Sequence, residues 1–265
     1  MTRSRIDVIL VERGLFPSRE QARAALIAGE VRVSDQLVTK AGQLVDQAAP
    51  IAVAEKQRFV SRGGEKLAGA LDTFRLDVSG LRVVDIGAST GGFSDCVLQR
   101  GAASISAVDV GYGQLAWSLR TDPRVTVFER TNIRTADPAE IGAPFDLAVI
   151  DVSFISLRKV LPNLLSFIDA DDGQLLALVK PQFEVGKGRV GKRGVVRDPL
   201  LHEEVLEASA SACTEAGLVV RGLTFSPIKG PEGNIEFWMW AARHGAPAEE
   251  SASSVVEMAH AKLGG

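Results

Sequence analysis

The stretch Val83-Val-Asp-Ile-Gly-Ala-Ser-Thr-Gly-Gly-Phe-Ser94 limits the fold of this chain more than any other. A short apolar run suited to a buried strand meets Gly87, and a glycine-rich turn then leads into a helix near Gly92. That geometry lets backbone amides at a helix start approach a bound ligand closely. The same alternation continues downstream, with strands expected at 82–86, 104–108, 125–128, 147–151 and 174–179 and helices such as 92–99 between them. Alternating strands and helices predict a mostly parallel sheet covered on both faces, the α/β class. After a helix at 200–216, residues 218–225 and 235–240 read as an antiparallel pair at one edge, completing a seven-stranded sheet. Residues 255–263 read as a terminal helix.

The first 58 residues follow a different pattern. Residues 6–13 and 18–28 show helical spacing, the second opened by Ser18 and Gln21 in the S-x-x-Q form of a capping box. Residues 30–33, 36–38 and 51–53 read as short strands, which makes this a small α+β unit. Arg3, Arg5, Arg13, Arg19 and Arg23 lie on or beside the two helices and could contact phosphates. The pattern from Arg5-Ile-Asp7 through Ser18-Arg19-x-x-Ala22 to Gly29-x-Val31-x-Val33 resembles the alpha-L RNA-binding module of ribosomal proteins. The expected organisation is therefore an RNA-binding domain at 1–58, a linker at 59–64, the α/β domain at 65–245 and a tail at 246–265.

Charge permits a polyanionic partner despite a net −3, although basic runs by themselves equally suit solvated surfaces. Residues 1–66 hold eleven Lys and Arg against eight Asp and Glu, and 180–197 hold six basic residues against Glu184 alone. Basic stretches on an acidic chain can steer a polyanion to one face. No apolar run approaches the roughly 20 residues needed to cross a bilayer, and the N-terminus lacks a signal core, so a cytoplasmic protein without membrane contact is expected. Cys96 and Cys213 have no partners at ligand spacing, so neither a disulfide nor a metal site is expected.

The glycine turn discriminates between ligands. A dinucleotide fingerprint would place Gly where Ser89 stands, and a P-loop would place Lys where Phe93 stands. An esterase elbow, Gly87-x-Ser89-x-Gly91, does match, and would need a later His such as His244. The Asp85-x-Gly87 turn resembles motif I of the S-adenosylmethionine methyltransferases, which have a Rossmann-like fold. The resemblance implies that Asp85, Gly87, Ala88, Ser89, Gly91, Gly92 and Phe93 lie against the amino-acid end of S-adenosylmethionine. It places Asp109 on the ribose hydroxyls and Asn132 at the adenine edge, with Asp151 bordering the same site.

Lys180 and Asp151 each end a strand, where open α/β sheets bind ligands. A lysine becomes a base where burial or a neighbouring cation favours its neutral form. Lys66, Asp151, Lys180 and Glu236 match in type and order the tetrad of the FtsJ-like ribose 2′-O-methyltransferases. With the N-terminal module and Ser61-Arg-Gly-Gly-Glu-Lys66, the whole chain resembles the TlyA family, also called haemolysin A. The resemblance implies methylation of a ribose 2′-hydroxyl of ribosomal RNA at cytidine, with ribosomal subunits as partners and Lys180 as the base. It also implies RNA contacts from Arg62, Lys187, Arg189, Lys192 and Arg193. A Ser89 esterase or haemolysin, and an RNA-binding protein without catalysis, are the alternatives.

Overall fold

The computed structural model describes residues 3–54, 57–186 and 188–264, with Lys192 described in its backbone alone. The chain divides into two compact units, Met1–Gln57 and Arg58–Gly265.

The first unit runs β1 (Arg3–Arg5), α1 (Ile6–Glu12), α2 (Arg19–Ile27), β2 (Val31–Val33), β3 (Gln36–Leu37), β4 (Leu44–Asp46) and β5 (Ile51–Val53). Ser18 caps α2, its hydroxyl accepting the Gln21 amide at 3.3 Å, as the S-x-x-Q spacing predicts. Ile6, Ile9 and Leu10 of α1, Ala22 and Leu26 of α2, and Val31 and Val33 of β2 form a core belonging to this unit. Strand β2 pairs antiparallel with β3 and β5. A second ribbon pairs β1 with β4, two three-residue strands with no apolar alternation to announce them.

The second unit begins with α3 (Arg62–Phe74), whose first three residues fall in the stretch 59–64 expected as a linker. It continues β6 (Arg82–Ile86), α4 (Gly92–Gln99), β7 (Ser104–Val108), α5 (Trp117–Arg120), β8 (Val125–Phe128), α6 (Pro138–Ile141), β9 (Leu147–Ile150), α7 (Leu157–Leu164) and β10 (Gln174–Val179). Then follow α8 (Pro181–Glu184), a 3-10 turn at Lys192–Gly194, α9 (Pro199–Glu215), β11 (Val219–Phe225), β12 (Phe237–Ala242) and α10 (Ala252–Leu263). The seven strands lie in the order β11-β12-β10-β9-β6-β7-β8. Side-chain alternation builds both faces. Leu147, Val149, Leu176 and Leu178 join the core under α3 and α4, whereas Ala148, Ile150, Leu175 and Ala177 join the core under α7, α9 and α10.

Two features of the topology place the site. From β6 the chain steps outward through β7 and β8, then returns to the other side of β6 with β9 and β10, leaving a switch point between β6 and β9. Strand β12 is the one antiparallel strand, inserted between β10 and β11, with Phe237 opposite Val179. The residue just before β12 therefore emerges at the same edge as the residue just after β10. No helix among the described residues is long and apolar enough to cross a membrane.

Candidate active site

The parallel register puts Ile86, Val108 and Ile150 level, so the residues that follow them leave the sheet along one edge. Gly87, Asp109 and Asp151 are those residues, and Lys180 and Glu236 join them through β10 and β12. Lys66, on the first turns of α3, completes the group.

The four polar residues form two ion pairs. Lys66 Nζ lies 2.5 Å from Glu236 Oε2, with side chains only 8% and 1% exposed. Lys180 Nζ forms an ion pair with Asp151 Oδ1 and donates a hydrogen bond to Ser153 Oγ at 3.0 Å. Lys66 and Asp151 both line a cleft of about 310 Å³, with Gly87, Ala88, Gly92 and Phe93 forming its wall. Lys66, Lys180 and Glu236 are buried and Asp151 is half-buried, an arrangement that is costly, and each cation here has a carboxylate to offset that cost.

Next to this cleft lies a cavity of about 360 Å³ whose lining includes Gly87, Ser89, Asp109, Asn132, Asp151 and Ser153. Asp109 is fixed by two backbone donors: Oδ2 accepts the Ser89 amide at 2.8 Å and Oδ1 the Gly111 amide at 2.6 Å. Each oxygen keeps a further lone pair, suited to a vicinal diol. Asn132 turns its Oδ1 onto the Arg134 amide at 3.1 Å. Phe154 stands at the cavity mouth, 91% exposed, its ring 5.1 Å from that of Phe183.

Asp85 lies beneath the glycine turn and is fully buried. Its Oδ2 accepts the Ser94 amide at 2.9 Å and the Ser94 hydroxyl at 2.6 Å, which anchors the first turn of α4. Its Oδ1 has no hydrogen-bond partner. Burial pushes the carboxyl up to about 7, against the opposing pull of Ser94. An unpartnered buried carboxyl oxygen fits a ligand that brings a donor to the turn.

The remaining glycines of the turn serve packing. A Cβ on Gly91, at φ +96°, would sit 2.2 Å from Leu119, and one on Gly92 would sit 2.2 Å from Ser61 Oγ. Phe93 packs its ring 5.3 Å from Trp238 and belongs to the core as well as to the cleft wall.

The esterase alternative fails on geometry. Ser89 has the positive φ, 48°, that an elbow requires, but its hydroxyl donates to Gln114 at 3.2 Å. His244 follows β12 and bonds Asp172 at 2.6 Å, just before β10 begins, at the opposite edge of the sheet. Six residues of β10 separate the two edges, roughly 20 Å at strand rise. His202 and His260 bond each other at 2.9 Å between α9 and α10.

The expected RNA contacts are partly engaged already. In the first unit Arg5, Arg19 and Arg23 all reach Asp7, while Arg13 bonds the carbonyls of Gln47 and Ala49 and Arg3 is exposed. In the second unit Arg62 donates to the Lys229 carbonyl at 2.7 Å, Arg189 grips Glu204, and Arg193 is exposed. Lys187 and the Lys192 side chain lie outside the described residues. Sequence reasoning missed Ser94 and Ser153, whose hydroxyls have no motif of their own. It also missed Asn234, a buried amide that ties Gly194 and Val196 of the basic segment to the loop before Glu236. Among the described residues no group of His, Cys, Asp and Glu is placed to hold a metal ion.

A family model described as FtsJ-like methyltransferase matches residues 59–243, and one described as S4 domain matches residues 4–49. The chain belongs to the FtsJ-like methyltransferase family. TlyA of Mycobacterium tuberculosis (strain ATCC 25618 / H37Rv), named a 16S/23S rRNA (cytidine-2'-O)-methyltransferase, is 50% identical over 240 residues, covering 90% of this chain and 89% of that one. Hemolysin A of Brachyspira hyodysenteriae is 37% identical, covering 88% and 97%. A solved structure from Streptococcus thermophilus, described as a candidate hemolysin, superposes with a TM-score of 0.76 at 43% identity, covering 100% of this chain and 98% of that one. Within the FtsJ-like family, then, the expectation of a mostly parallel seven-stranded sheet preceded by a small RNA-binding domain is met.

Proposed function

We propose that this protein transfers a methyl group from S-adenosylmethionine to the ribose 2′-hydroxyl of a cytidine in ribosomal RNA. The observation that carries this reading is the pair of lysine–carboxylate contacts, Lys66 with Glu236 in the interior and Lys180 with a half-buried Asp151, at a cleft adjoining a ligand-sized cavity. The names of the relatives at 50% and 38% identity, both cytidine-2'-O-methyltransferases of ribosomal RNA, support the substrate class.

S-adenosylmethionine supplies an electrophilic methyl on a sulfonium. The chain's residues must hold it and activate a weak nucleophile. Asp109, with both oxygens fixed by backbone amides, would hold the ribose diol, the unpartnered oxygen of Asp85 would meet the amino-acid end, and Asn132 would border the adenine. Lys180 Nζ, once it has released its own ammonium proton to solvent, would take the proton of the 2′-hydroxyl as that oxygen accepts the methyl group, and would end as the ammonium beside Asp151. Asp151 and Ser153 aim that amine from two sides. Lys66, held by Glu236, brings a fixed positive charge to the oxygen while it carries negative charge. Residues 1–58 bind the RNA backbone and residues 65–245 carry the chemistry.

Lys180→Ala tests the assignment. Incubated with labelled S-adenosylmethionine and ribosomal subunits from a strain lacking the protein, the variant should label RNA about 10²–10⁴-fold more slowly with unchanged RNA affinity. An undiminished rate would remove Lys180 as the base.

A further inference from the structure

We propose that Asp7 is the positioning residue of a preformed phosphate site, gathering Arg5, Arg19 and Arg23 into one cluster that grips the sugar–phosphate backbone of RNA. The inference rests on the reading of the first unit as RNA-binding and adds a component that carries the wrong charge to bind RNA itself.

The Asp7 side chain is fully buried, whereas those of the three arginines are 45–52% exposed. Arg5 holds it in a fork, Nε to Oδ1 at 3.0 Å and Nη2 to Oδ2 at 3.2 Å. Arg19 Nη2 and Arg23 Nε reach Oδ2 at 2.8 and 3.3 Å. A carboxylate offers about four acceptor sites and a guanidinium five donors, so Asp7 is close to saturated while every arginine keeps roughly three or more donors free. Three positive charges on one negative leave the cluster cationic. Those spare donors come from two elements, the β1–α1 junction and α2, held within one carboxylate's reach of each other.

Folding alone does not explain this arrangement. Ile6, Ile9 and Leu10 already bury the apolar face of α1, and a buried carboxylate adds a desolvation cost that only its partners offset. Without Asp7 the three guanidinium groups would repel and spread into solvent, each binding a phosphate independently if at all. With it they present a fixed array matched to planar, bidentate contact with phosphate oxygens.

The two views of Asp7 predict opposite signs. As a bare charge it opposes a polyanion, so Asp7→Asn should tighten RNA binding. As an organiser it supports binding, so the same change should weaken it. We would titrate the full-length protein with a fluorescently labelled RNA hairpin of ribosomal sequence across about 50–200 mM salt. The expected result is about tenfold weaker binding for Asp7→Asn and a log K against log salt slope shallower by about 1. Amide exchange in α2 should remain protected, and Asp7→Asn should have no further effect where Arg5, Arg19 and Arg23 are already Gln. Unchanged or tighter binding by Asp7→Asn, with the triple Gln variant weakened, overturns the role of Asp7 alone. An unaffected triple Gln variant overturns the RNA-binding reading of the unit itself. If Asp7→Asn unfolds α2, the triple Arg→Lys variant decides, because it keeps Asp7 and every charge but loses the forks. Weaker binding supports the cluster, and unchanged binding overturns it.

Discussion

The two ion pairs of the site differ in what they cost when broken. Lys66 and Glu236 are almost fully buried, so Lys66→Met would leave a carboxylate in the interior with no partner. A loss of about 3–5 kcal/mol follows, with most of it recovered when Glu236 is replaced by an uncharged residue in the same chain. Urea unfolding of the single and double variants checks this, and additive losses would contradict it. Asp85 gives a pH dependence of a definite sign. Its folded value of about 7 lies above the ordinary carboxyl value of 3.8, so the folded state holds a proton that the unfolded chain releases. The stability this contributes is full below about pH 4 and is lost as pH rises through 7. Melting temperature measured from pH 5 to 8 should fall for the native protein relative to Asp85→Asn. A constant difference between the two would mean that Asp85 is not held neutral.

At the scale of elements, the glycine turn and the helix caps connect sequence to site. Gly87 has φ +85°, and a Cβ there would lie 2.4 Å from the Asp151 carbonyl. Gly87→Ala therefore pushes on the backbone that carries Asp151, and methyl transfer should fall by at least tenfold although Gly87 bears no reacting group. Kinetics with a thermal melt would separate this from unfolding. Glu184 accepts the Leu157 amide and the Ser156 hydroxyl, both at 2.6 Å, tying α8 to the start of α7. Glu184→Ala should cost about 1–2 kcal/mol, read from denaturant midpoints.

What the sequence disclosed at this scale follows from periodicity and punctuation. Strands β6, β7, β8 and β10 match their expected limits because each is an apolar run bounded by Gly, Pro or charge. Strands β1 and β4 were invisible, since a three-residue ribbon is held by pairing across 40 residues of chain and not by its own pattern. The site divides the same way. Asp151 and Lys180 were legible as charges at strand ends, and Lys66 and Glu236 only through the resemblance to the family tetrad. Ser153 and Ser94 were not, because a hydroxyl's partner is fixed only when the turn is folded. Asp7 was legible as a motif residue, but its three partners come together only in the folded unit.

For the whole molecule, the two units have separate cores, and their roles should separate in solution. Deleting the first unit should weaken RNA binding and flatten its salt dependence, since fewer phosphates are neutralised. The remaining unit should still bind S-adenosylmethionine by calorimetry. An unchanged slope would show that the anchor lies elsewhere.

The contact between Lys66 and Glu236 spans 170 positions of the chain. Its two halves are made at opposite ends of synthesis of the second unit, and the later one arrives with β12, inserted between strands already threaded. A nascent chain that has passed its cofactor turn but not residue 236 has no closed centre. Translation must run past residue 236 before the newborn enzyme can act on any RNA.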